Sequence, residues 1–461
     1  MGAPRPLLFA CSLAALLASA APAWAQGSLT PRTLKRTVDT VVLDGSACGK
    51  AKGAKISQIR LYTCRGGYMT PITYQIDEVD PSGIFCWNRG EKDRRRRDND
   101  RGGFDANDQL VFLARDIGDR ALPHQLAMVP GAIGFQEIEI TDPISKGKGW
   151  VYIFLFQRTF IPGRPSLDLT SLKVRKHADD SRTHYWYGES FLFHNDKSRK
   201  NAVRATYAGL AAPGTRDYRG VPNIVDSTQV KAVVSFMWVT LTRQSDDIRV
   251  NIGGYIDGPL RVVAENMLKV HLALGFWVSA PNSYLILWRN KMSMPTNADN
   301  PVNLDESDDS SYTLCVDMNK NAKGLYFYNS HNKTPVAIDG KMSAAEQQLN
   351  TTYPDYNVVY GAQGGLISKF VIPPFLAKRK RSKLVYLDDA THERNEESAE
   401  FQKGAFGYNG YVMDMRGLKK GTYPGDYVVW YAPPGFKPGD EIQYVNEYDH
   451  PLVGKATAVQ R

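Results

Sequence analysis

The stretch ISQIRLYTCRGGYMTPITYQI, residues 56–76, decides the fold class of this chain. Apolar or β-branched residues recur at every second position of Ile59–Thr63, which places them on one side of a β-strand. Gly66-Gly67 then supplies a turn, and Met69–Ile76 returns as the second half of a hairpin. The stretch therefore predicts paired strands and not a helix.

The same two-residue period continues through the rest of the chain. Trp150–Phe156 is a continuous apolar and aromatic run, which is typical of a strand buried on both faces. Helix signals are few, although Ser343 and Glu346 form a capping box that predicts a short helix over Ser343–Leu349. Many short strands punctuated by Gly and Pro predict an all-β protein of packed sheets. Further strands are predicted within residues 185–193, 270–278, 284–288, 325–328, 334–338, 427–431 and 442–445.

The length of the chain, 461 residues, exceeds one ordinary domain and suggests two. The boundary is expected where Pro162, Gly163 and Pro165 precede a polar run. We expect an N-terminal β-sandwich-like domain, a linker and a larger C-terminal β-sandwich domain, with few helices. Their expected bounds are residues 26–160, 161–183 and 184–461.

The first 25 residues have the pattern of a cleaved signal peptide. Arg5 provides a positive start, Leu7–Ala18 is apolar but too short to span a bilayer, and Ala23-Trp24-Ala25 resembles a cleavage site. We therefore expect a mature chain that begins at Gln26. It would be exported to the periplasm, the outer surface or the extracellular medium, with no transmembrane segment in the mature chain.

The charge of the chain points to acidic partners. The formal net charge is +9, and it falls to +8 once Arg5 is removed. A basic exported protein is attracted to acidic glycans, lipopolysaccharide or an anionic membrane face, and export takes it away from nucleic acid. The acidic stretch at residues 303–310 and the basic stretch at residues 377–383 are expected to be solvated loops.

Four cysteines remain after the signal segment, and their crowding predicts a disulfide. Cys48, Cys64 and Cys86 lie close together in sequence, whereas Cys315 is distant. We expect at least one bridge among the first three, either Cys48–Cys64 or Cys64–Cys86. None of the spacings is that of a redox dithiol, a zinc knuckle or a c-type haem site.

The most specific local pattern is the oxygen-rich loop DNDRGGFDAND, residues 98–108, which runs into an apolar strand. Closely spaced carboxylates and amides around glycines suit a hard cation, so we consider calcium a possible cofactor. The loop resembles the calcium loops of EF-hand and dockerin modules, although Arg97 and Arg101 stand at two ligand positions of that pattern. The candidate metal ligands are Asp98, Asp100, Asp105, Asn107 and Asp108.

Two stretches together resemble a known group of proteins. PITYQIDE at residues 71–78 and FDANDQLVFLARDIGD at residues 104–119 match a Q-I-D-E…F-D-A-N-D-x-L-V-F-x-A pattern. The pattern resembles that of a loosely defined, largely uncharacterised group of exported bacterial β-proteins. The resemblance covers residues 38–156 and implies a β-sandwich and a cell-envelope setting, but no activity.

Common catalytic motifs are absent from the sequence, which contains no H-E-x-x-H, G-x-S-x-G, Walker or G-x-G-x-x-G motif. An enzyme could still assemble its site from separated residues. A lyase would need a Tyr or His base and an Arg, and a hydrolase would need two carboxylates. The residues considered for this alternative are His184, Tyr185, Tyr187, His194, Asp257, Glu265 and Arg289.

The aromatic stretch HYWYGESFLFH, residues 184–194, favours binding instead. Tyr and Trp side chains offer flat apolar surfaces with polar edges, which stack on sugar rings, although such residues also form sandwich cores. The glycan-binding candidates are His184, Tyr185, Trp186, Tyr187 and His194.

The sequence therefore predicts a non-catalytic, exported or cell-envelope β-protein that binds a glycan or another envelope component. A polysaccharide-active lyase or glycoside hydrolase is the alternative. A subunit of an envelope complex is a third option, which a large exposed apolar patch would indicate.

Overall fold

A computed structural model defines the fold over most of the chain. It describes residues 29–90, 98–100, 102–157, 175–176, 184–187, 191–195, 205–210, 222–237, 239–273, 276–279, 283–306, 309–393 and 404–458. Strands dominate these residues, so the all-β prediction is confirmed. No helix among the described residues is long and apolar enough to cross a membrane.

The first third of the chain forms eight strands and one short helix. The strands are β1 (Thr40–Asp44), β2 (Ile59–Arg65), β3 (Tyr68–Pro71), β4 (Tyr74–Asp77), β5 (Arg89–Gly90), β6 (Gln109–Leu113), β7 (Ala132–Thr141) and β8 (Lys148–Phe156). The helix is α1 (Pro123–Leu126).

The described residues in the middle of the chain form twelve strands. They are β9 (Arg175–Lys176), β10 (His184–Tyr187), β11 (Phe191–Asn195), β12 (Ala205–Leu210), β13 (Val225–Phe236), β14 (Val239–Gln244), β15 (Ile248–Asp257), β16 (Arg261–Ala273), β17 (Phe276–Ser279), β18 (Ser283–Trp288), β19 (Lys291–Asn300) and β20 (Ser311–Met318).

The last part of the chain adds eight strands and three helices. The strands are β21 (Tyr326–Asn329), β22 (Val336–Ala337), β23 (Asn357–Gly361), β24 (Gly364–Val371), β25 (Lys383–Asp389), β26 (Ala405–Asp414), β27 (Gly421–Ala432) and β28 (Val453–Thr457). The helices are α2 (Ala344–Gln347), α3 (Pro374–Ala377) and α4 (Glu441–Asp449).

The hairpin predicted from the glycine pair is present. Arg65 pairs with Tyr68 across the turn, and Gly66 and Gly67 both have positive φ, 54° and 85°. Two successive positive φ angles are those of a type I′ turn, whose twist matches the strands that it joins. The glycine pair thus fixes the register of β2 against β3.

The sheets stack in layers. An 11-stranded sheet, the large sheet, has the strand order β22-β21-β23-β24-β27-β19-β18-β16-β15-β5, with β17 beside β16. One of its faces packs on the sheet β14-β13-β20-β26-β25 around the largest apolar core of the described chain. Its opposite face meets the sheet β1-β6-β4, which packs in turn on the sheet β28-β7-β8-β2-β3. A further sheet, β12-β11-β10-β9, is described through its backbone.

Two strand pairings join parts of the chain that lie on either side of the expected linker. β28, at the C-terminal end, pairs with β7, and β5 pairs with β15 of the large sheet. Most of residues 161–183 lie outside the described residues, so the division into two domains stays a prediction.

The structure corrects one predicted strand. Residues 442–445 were expected to be extended, but they form the first half of α4. Tyr444 and Val445 pack against Trp430 and Val428 on the large sheet, so this apolar segment is buried as a helix face. The other helix expectation is confirmed, since Ser343 caps α2 and Glu346 completes the capping box.

The disulfide prediction is wrong. Cys48, Cys64, Cys86 and Cys315 are all buried, and no disulfide links any two of them. Nearness in sequence was misleading, because the fold places Cys48 and Cys64 in separate apolar clusters on opposite faces of one sheet. The buried thiols behave as small apolar side chains of the core.

Candidate functional site

The candidate site lies where β24 leaves the large sheet. Ile372-Pro373-Pro374 ends the strand, because proline cannot continue the ladder, and Pro374 begins the short helix α3. The chain then turns through residues 378–382 and enters β25 at Lys383. On the outer face of the sheet the last turn of α4 approaches the same place.

A groove of about 800 Å³ opens here, and we call it the basic groove. Its volume is in the range of protein ligand sites. It is lined by His331, Thr351, Thr352, Tyr353, Asp355, Lys369, Phe370, Val371, Ile372, Pro374, Ala377, Lys378, Arg379, Lys380, Ser382, Lys383 and Asp449.

The rim of the basic groove carries uncompensated positive charge. Lys378, Lys380 and Lys383 are exposed, and none forms an ion pair within the described part of the chain. Arg379 is fixed instead, since its guanidinium donates to the carbonyl oxygens of Asp414 and Arg416 at 3.1 and 2.6 Å. The three lysines are therefore available to an anionic ligand.

A buried lysine forms the floor of the groove. Lys369 is 7% exposed, and its ammonium donates to Asp355 at 2.7 Å and to Asp449 at 2.8 Å. The three residues come from β24, from the loop before β23 and from α4. Because the Lys369 charge is already paired twice, it shapes the floor but adds little attraction for a ligand.

An aromatic wall stands beside the charges. The Tyr353 hydroxyl donates to the Phe370 carbonyl at 2.8 Å, and the Tyr353 ring lies 5.3 Å from the ring of Tyr411. Burial raises the pKa of Tyr353 well above its ordinary value, so this hydroxyl stays neutral. The Nε2 atom of His331 lies 3.1 Å from the Tyr353 carbonyl oxygen. Because a carbonyl oxygen only accepts, this hydrogen bond requires the tautomer that carries a hydrogen on Nε2.

A second cavity of about 440 Å³ lies next to the basic groove and shares Val371, Ile372 and Pro374 with it. Its lining includes Asp426, which accepts hydrogen bonds from the Ser293 hydroxyl at 2.9 Å and from the Met294 amide at 3.0 Å. Burial raises the pKa of the Asp426 carboxyl. The remaining residues are Tyr284, Pro295, Thr296, Asn297, Pro373, Pro424, Gly425 and Tyr448.

The glycan-binding candidates from the sequence lie on two paired strands. β10 and β11 are antiparallel, and Tyr185 of β10 stands opposite His194 of β11. Their side chains, with those of His184, Trp186 and Tyr187, lie outside the described residues. Their role in binding stays a prediction.

The residues considered for an enzyme do not converge, so far as their side chains are described. Asp257 pairs with Val262 on β16, and Glu265 lies three residues further along that strand. Residues three apart on a strand point to opposite faces of the sheet. Tyr284 of β18 is the residue opposite Glu265, and Arg289 follows the end of β18. Arg289 is therefore displaced from Glu265 by roughly 17 Å along the strand direction.

Three of the carboxylates predicted as metal ligands lie close together, while their role in binding a metal stays a prediction. Asp98, Asp105 and Asp108 each offer a carboxylate oxygen, and these oxygens lie within 4.8 Å of one another. Asp100 instead accepts a hydrogen bond from the Gly103 amide at 3.2 Å. The side-chain amide of Asn107 donates to the Val79 carbonyl oxygen, so it serves to hold the loop.

Sequence reasoning missed the basic groove. The signal was present in the basic run at residues 377–383, which was interpreted only as a solvated loop. The groove is also lined by Tyr353, Lys369 and Asp449. These residues belong to no common sequence motif, and only the packing of distant segments brings them together.

Comparison with known proteins assigns no family. No protein-family model matches the chain, and no curated protein matches it. Among solved structures it is similar to an α-mannosidase from Enterococcus faecalis V583, with a TM-score of 0.37 and 9% identity over 91% of this chain and 47% of that one. It is also similar to a glycosyl hydrolase family 38 protein from Enterococcus faecalis, with a TM-score of 0.36 and 9% identity over 91% and 49% of the two chains. The chain spans about half the length of these enzymes, and likeness at this level establishes neither a shared fold nor an activity.

Proposed function

We propose that the protein is an exported, non-catalytic protein of the cell envelope or its surroundings, and that it binds an acidic glycan in the basic groove. The observation that carries this proposal is the set of three exposed lysines without ion-pair partners in the described chain, Lys378, Lys380 and Lys383, beside an aromatic wall. Ammonium groups attract the carboxylates or sulfates of an acidic sugar, while a ring face packs on its apolar C–H surface.

The charge balance of the groove favours an anion over a neutral sugar. Five cationic side chains line it, Lys369 and Arg379 included, against the two carboxylates of Asp355 and Asp449. Lys369 offsets one of the two carboxylates that bond to it, and the groove as a whole keeps a formal charge of +3. An uncharged glycan could accept hydrogen bonds from the lysines but would gain no attraction between opposite charges.

Binding of the purified protein to polygalacturonate and to dextran, measured by calorimetry, tests this function. We expect saturable binding to the acidic polymer that weakens as salt is raised from 0.1 to 0.5 M, because salt screens exposed charges. Dextran should bind far more weakly. Equal binding to both polymers, or binding to neither, would contradict the proposal.

A charge-removal variant locates the binding. Replacing Lys378, Lys380 and Lys383 together by Ala should weaken polygalacturonate binding about 10- to 100-fold, since each exposed charge contributes about 0.5–1 kcal/mol. The matched control replaces three exposed lysines outside the groove, Lys52, Lys341 and Lys437, by Ala. Equal loss in the two variants would mean that only net charge matters.

One observation favours a second function, glycoside hydrolysis. Asp355 and Asp449 bond to the same ammonium, so the bonded oxygens are no more than about 5.5 Å apart, a separation found in retaining hydrolases. The ammonium of Lys369, however, lies between them, where the sugar would have to bind. Release of new reducing ends, lost in both Asp355→Asn and Asp449→Asn, would establish the hydrolase and overturn the non-catalytic proposal.

A further inference from the structure

Backbone hydrogen bonds hold the part of the loop that carries Asp105 and Asp108. The Ile56 amide donates to the Gly102 carbonyl at 2.9 Å, and the Phe104 amide donates to Ala54 at 2.8 Å. The Ser46 and Gly45 amides bond to Ala106 and Asp108 at 3.1 and 2.8 Å. Asp105 and Asp108 are therefore positioned by the fold and do not depend on a ligand for their place.

Hydrogen bonds orient two of the carboxylates. Asp108 is fully buried, and its oxygens accept from the amides of Val79 and Asp105, both at 3.0 Å. Oδ1 of Asp105 accepts from the Asn107 amide at 3.0 Å. A carboxylate oxygen can accept more than one bond. Lone pairs of these carboxylates therefore remain for a metal ion at the centre of the cluster.

The third carboxylate has an oxygen with no partner. Oδ1 of Asp98 accepts from the Asn99 amide, whereas Oδ2 is shielded from solvent and has no hydrogen bond. An unpaired anionic oxygen away from water is costly, and such atoms are normally paired or bound to a metal. The unpaired Oδ2 atom is evidence for a bound cation that is separate from the clustering of the carboxylates.

No basic group of the described chain neutralises the cluster. Asp98, Asp105 and Asp108 form no ion pair with any described lysine or arginine, and Glu78 and Asp100 add further negative charge nearby. Within the described residues the cluster therefore concentrates negative charge that a cation would relieve.

Hard cations suit this site better than soft ones. The three members of the cluster all offer carboxylate oxygens, and no described thiol or imidazole belongs to it. Calcium prefers such oxygen ligands, and water can complete its six to eight ligands.

We infer that Asp98, Asp105 and Asp108 form a calcium site that stabilises the folded chain. The calcium site and the glycan-binding groove are separate proposals, so an experiment can disprove one of them without affecting the other.

Calorimetric titration of the chelator-treated mature protein with calcium chloride tests the inference. We expect one saturable calcium per chain and a melting temperature raised by about 3–5 °C at a hundredfold excess over the dissociation constant. Asp98→Asn and Asp105→Asn should each weaken calcium binding at least tenfold. The matched control, Asp299→Asn, removes an exposed carboxylate on β19 and should leave binding unchanged.

Asp108→Asn is a poor first test, because that side chain also holds two backbone amides and its loss could disrupt the loop itself. Circular dichroism of the two chosen variants without calcium verifies that they fold. Absence of calcium binding in the wild type would overturn the inference. So would unchanged affinity in both folded variants, or tighter binding of zinc than of calcium.

Discussion

The guanidinium Nε of Arg261 donates to Oδ2 of Asp77 across 2.7 Å, and both side chains are almost completely buried. The pair joins β16 of the large sheet to β4 of the neighbouring sheet. Gln75 completes the contact, since its Oε1 accepts from the Leu260 and Arg261 amides and its Nε2 donates to Asp77. Sheets from distant parts of the sequence are thus held together by a buried charge pair.

Removing one partner of this pair should be strongly destabilising. Asp77→Ala leaves a buried guanidinium without its counter-charge, so we expect the free energy of unfolding to fall by about 3–5 kcal/mol in urea unfolding. Asp77→Leu combined with Arg261→Met should recover much of that loss. Arg381→Ala, which breaks an exposed pair with Asp309, is the control and should cost at most about 1 kcal/mol. A cost of less than 1 kcal/mol for Asp77→Ala would show that the pair does not join the sheets.

Glu447 fixes α4 on the large sheet. Its carboxylate accepts from Lys291 at 2.9 Å, from the Trp430 indole at 2.8 Å and from the Thr40 amide at 3.0 Å. Glu447→Ala leaves these buried donors unpaired and should lower the free energy of unfolding by about 3–5 kcal/mol. Glu139→Ala, which breaks a partly exposed ion pair on β7, serves as the control. Equal melting temperatures of the two variants would show that Glu447 does not fix α4 on the large sheet.

The four buried cysteines should form no disulfide and should react slowly with alkylating reagents. Burial raises the pKa of Cys48 and of Cys86 to about 12, so little thiolate is present at pH 8. Iodoacetamide should label Cys48, Cys64, Cys86 and Cys315 slowly in the native protein and completely in guanidinium, as measured by peptide mass spectrometry. A disulfide-linked peptide in the unreduced digest would contradict the structure.

The raised pKa of Asp108 gives a pH dependence with a defined sign. A carboxyl with a pKa of about 6 when folded and a lower one when unfolded binds its proton more tightly in the folded state. The free energy of unfolding of the calcium-free protein should therefore fall as pH rises from about 4 to 6. The free energy of unfolding should change by about 3 kcal/mol over this pH range.

Urea unfolding of the wild type and of Asp108→Asn at pH 4.5 and 7 measures this dependence. The wild type should lose more stability between the two pH values than the variant does, and calcium should offset the loss because it binds the ionised form. Parallel behaviour of the two proteins would mean that Asp108 does not titrate as described.

Local features of the fold could be predicted from the sequence. The Gly66-Gly67 turn and the capping box of Ser343 and Glu346 depend on neighbouring residues, and both are present. The helix α4 was misread as a strand, because a four-residue apolar window does not show whether a sheet face or a helix face is buried. Tyr444 packs on β27, the strand that precedes α4, and this packing of a helix on the sheet cannot be seen in the four residues themselves.

The candidate sites were less predictable for the same reason. The carboxylates of the Asp98–Asp108 loop are close in sequence, so it could be predicted that several of them lie together in the structure, as three do. The basic groove combines Tyr353, Lys369 and Asp449, which only the sheet register and the position of α4 bring together. The export of the chain and the role of the strands β10 and β11 stay predictions.

A crystal structure of the protein with a bound acidic oligosaccharide, such as a galacturonate trimer, tests the central claim most directly. The account predicts sugar carboxylates within about 4 Å of the ammonium groups of Lys378, Lys380 or Lys383, with a sugar ring against Tyr353. An oligosaccharide bound elsewhere, for example on β10 and β11, with the basic groove empty, would contradict it.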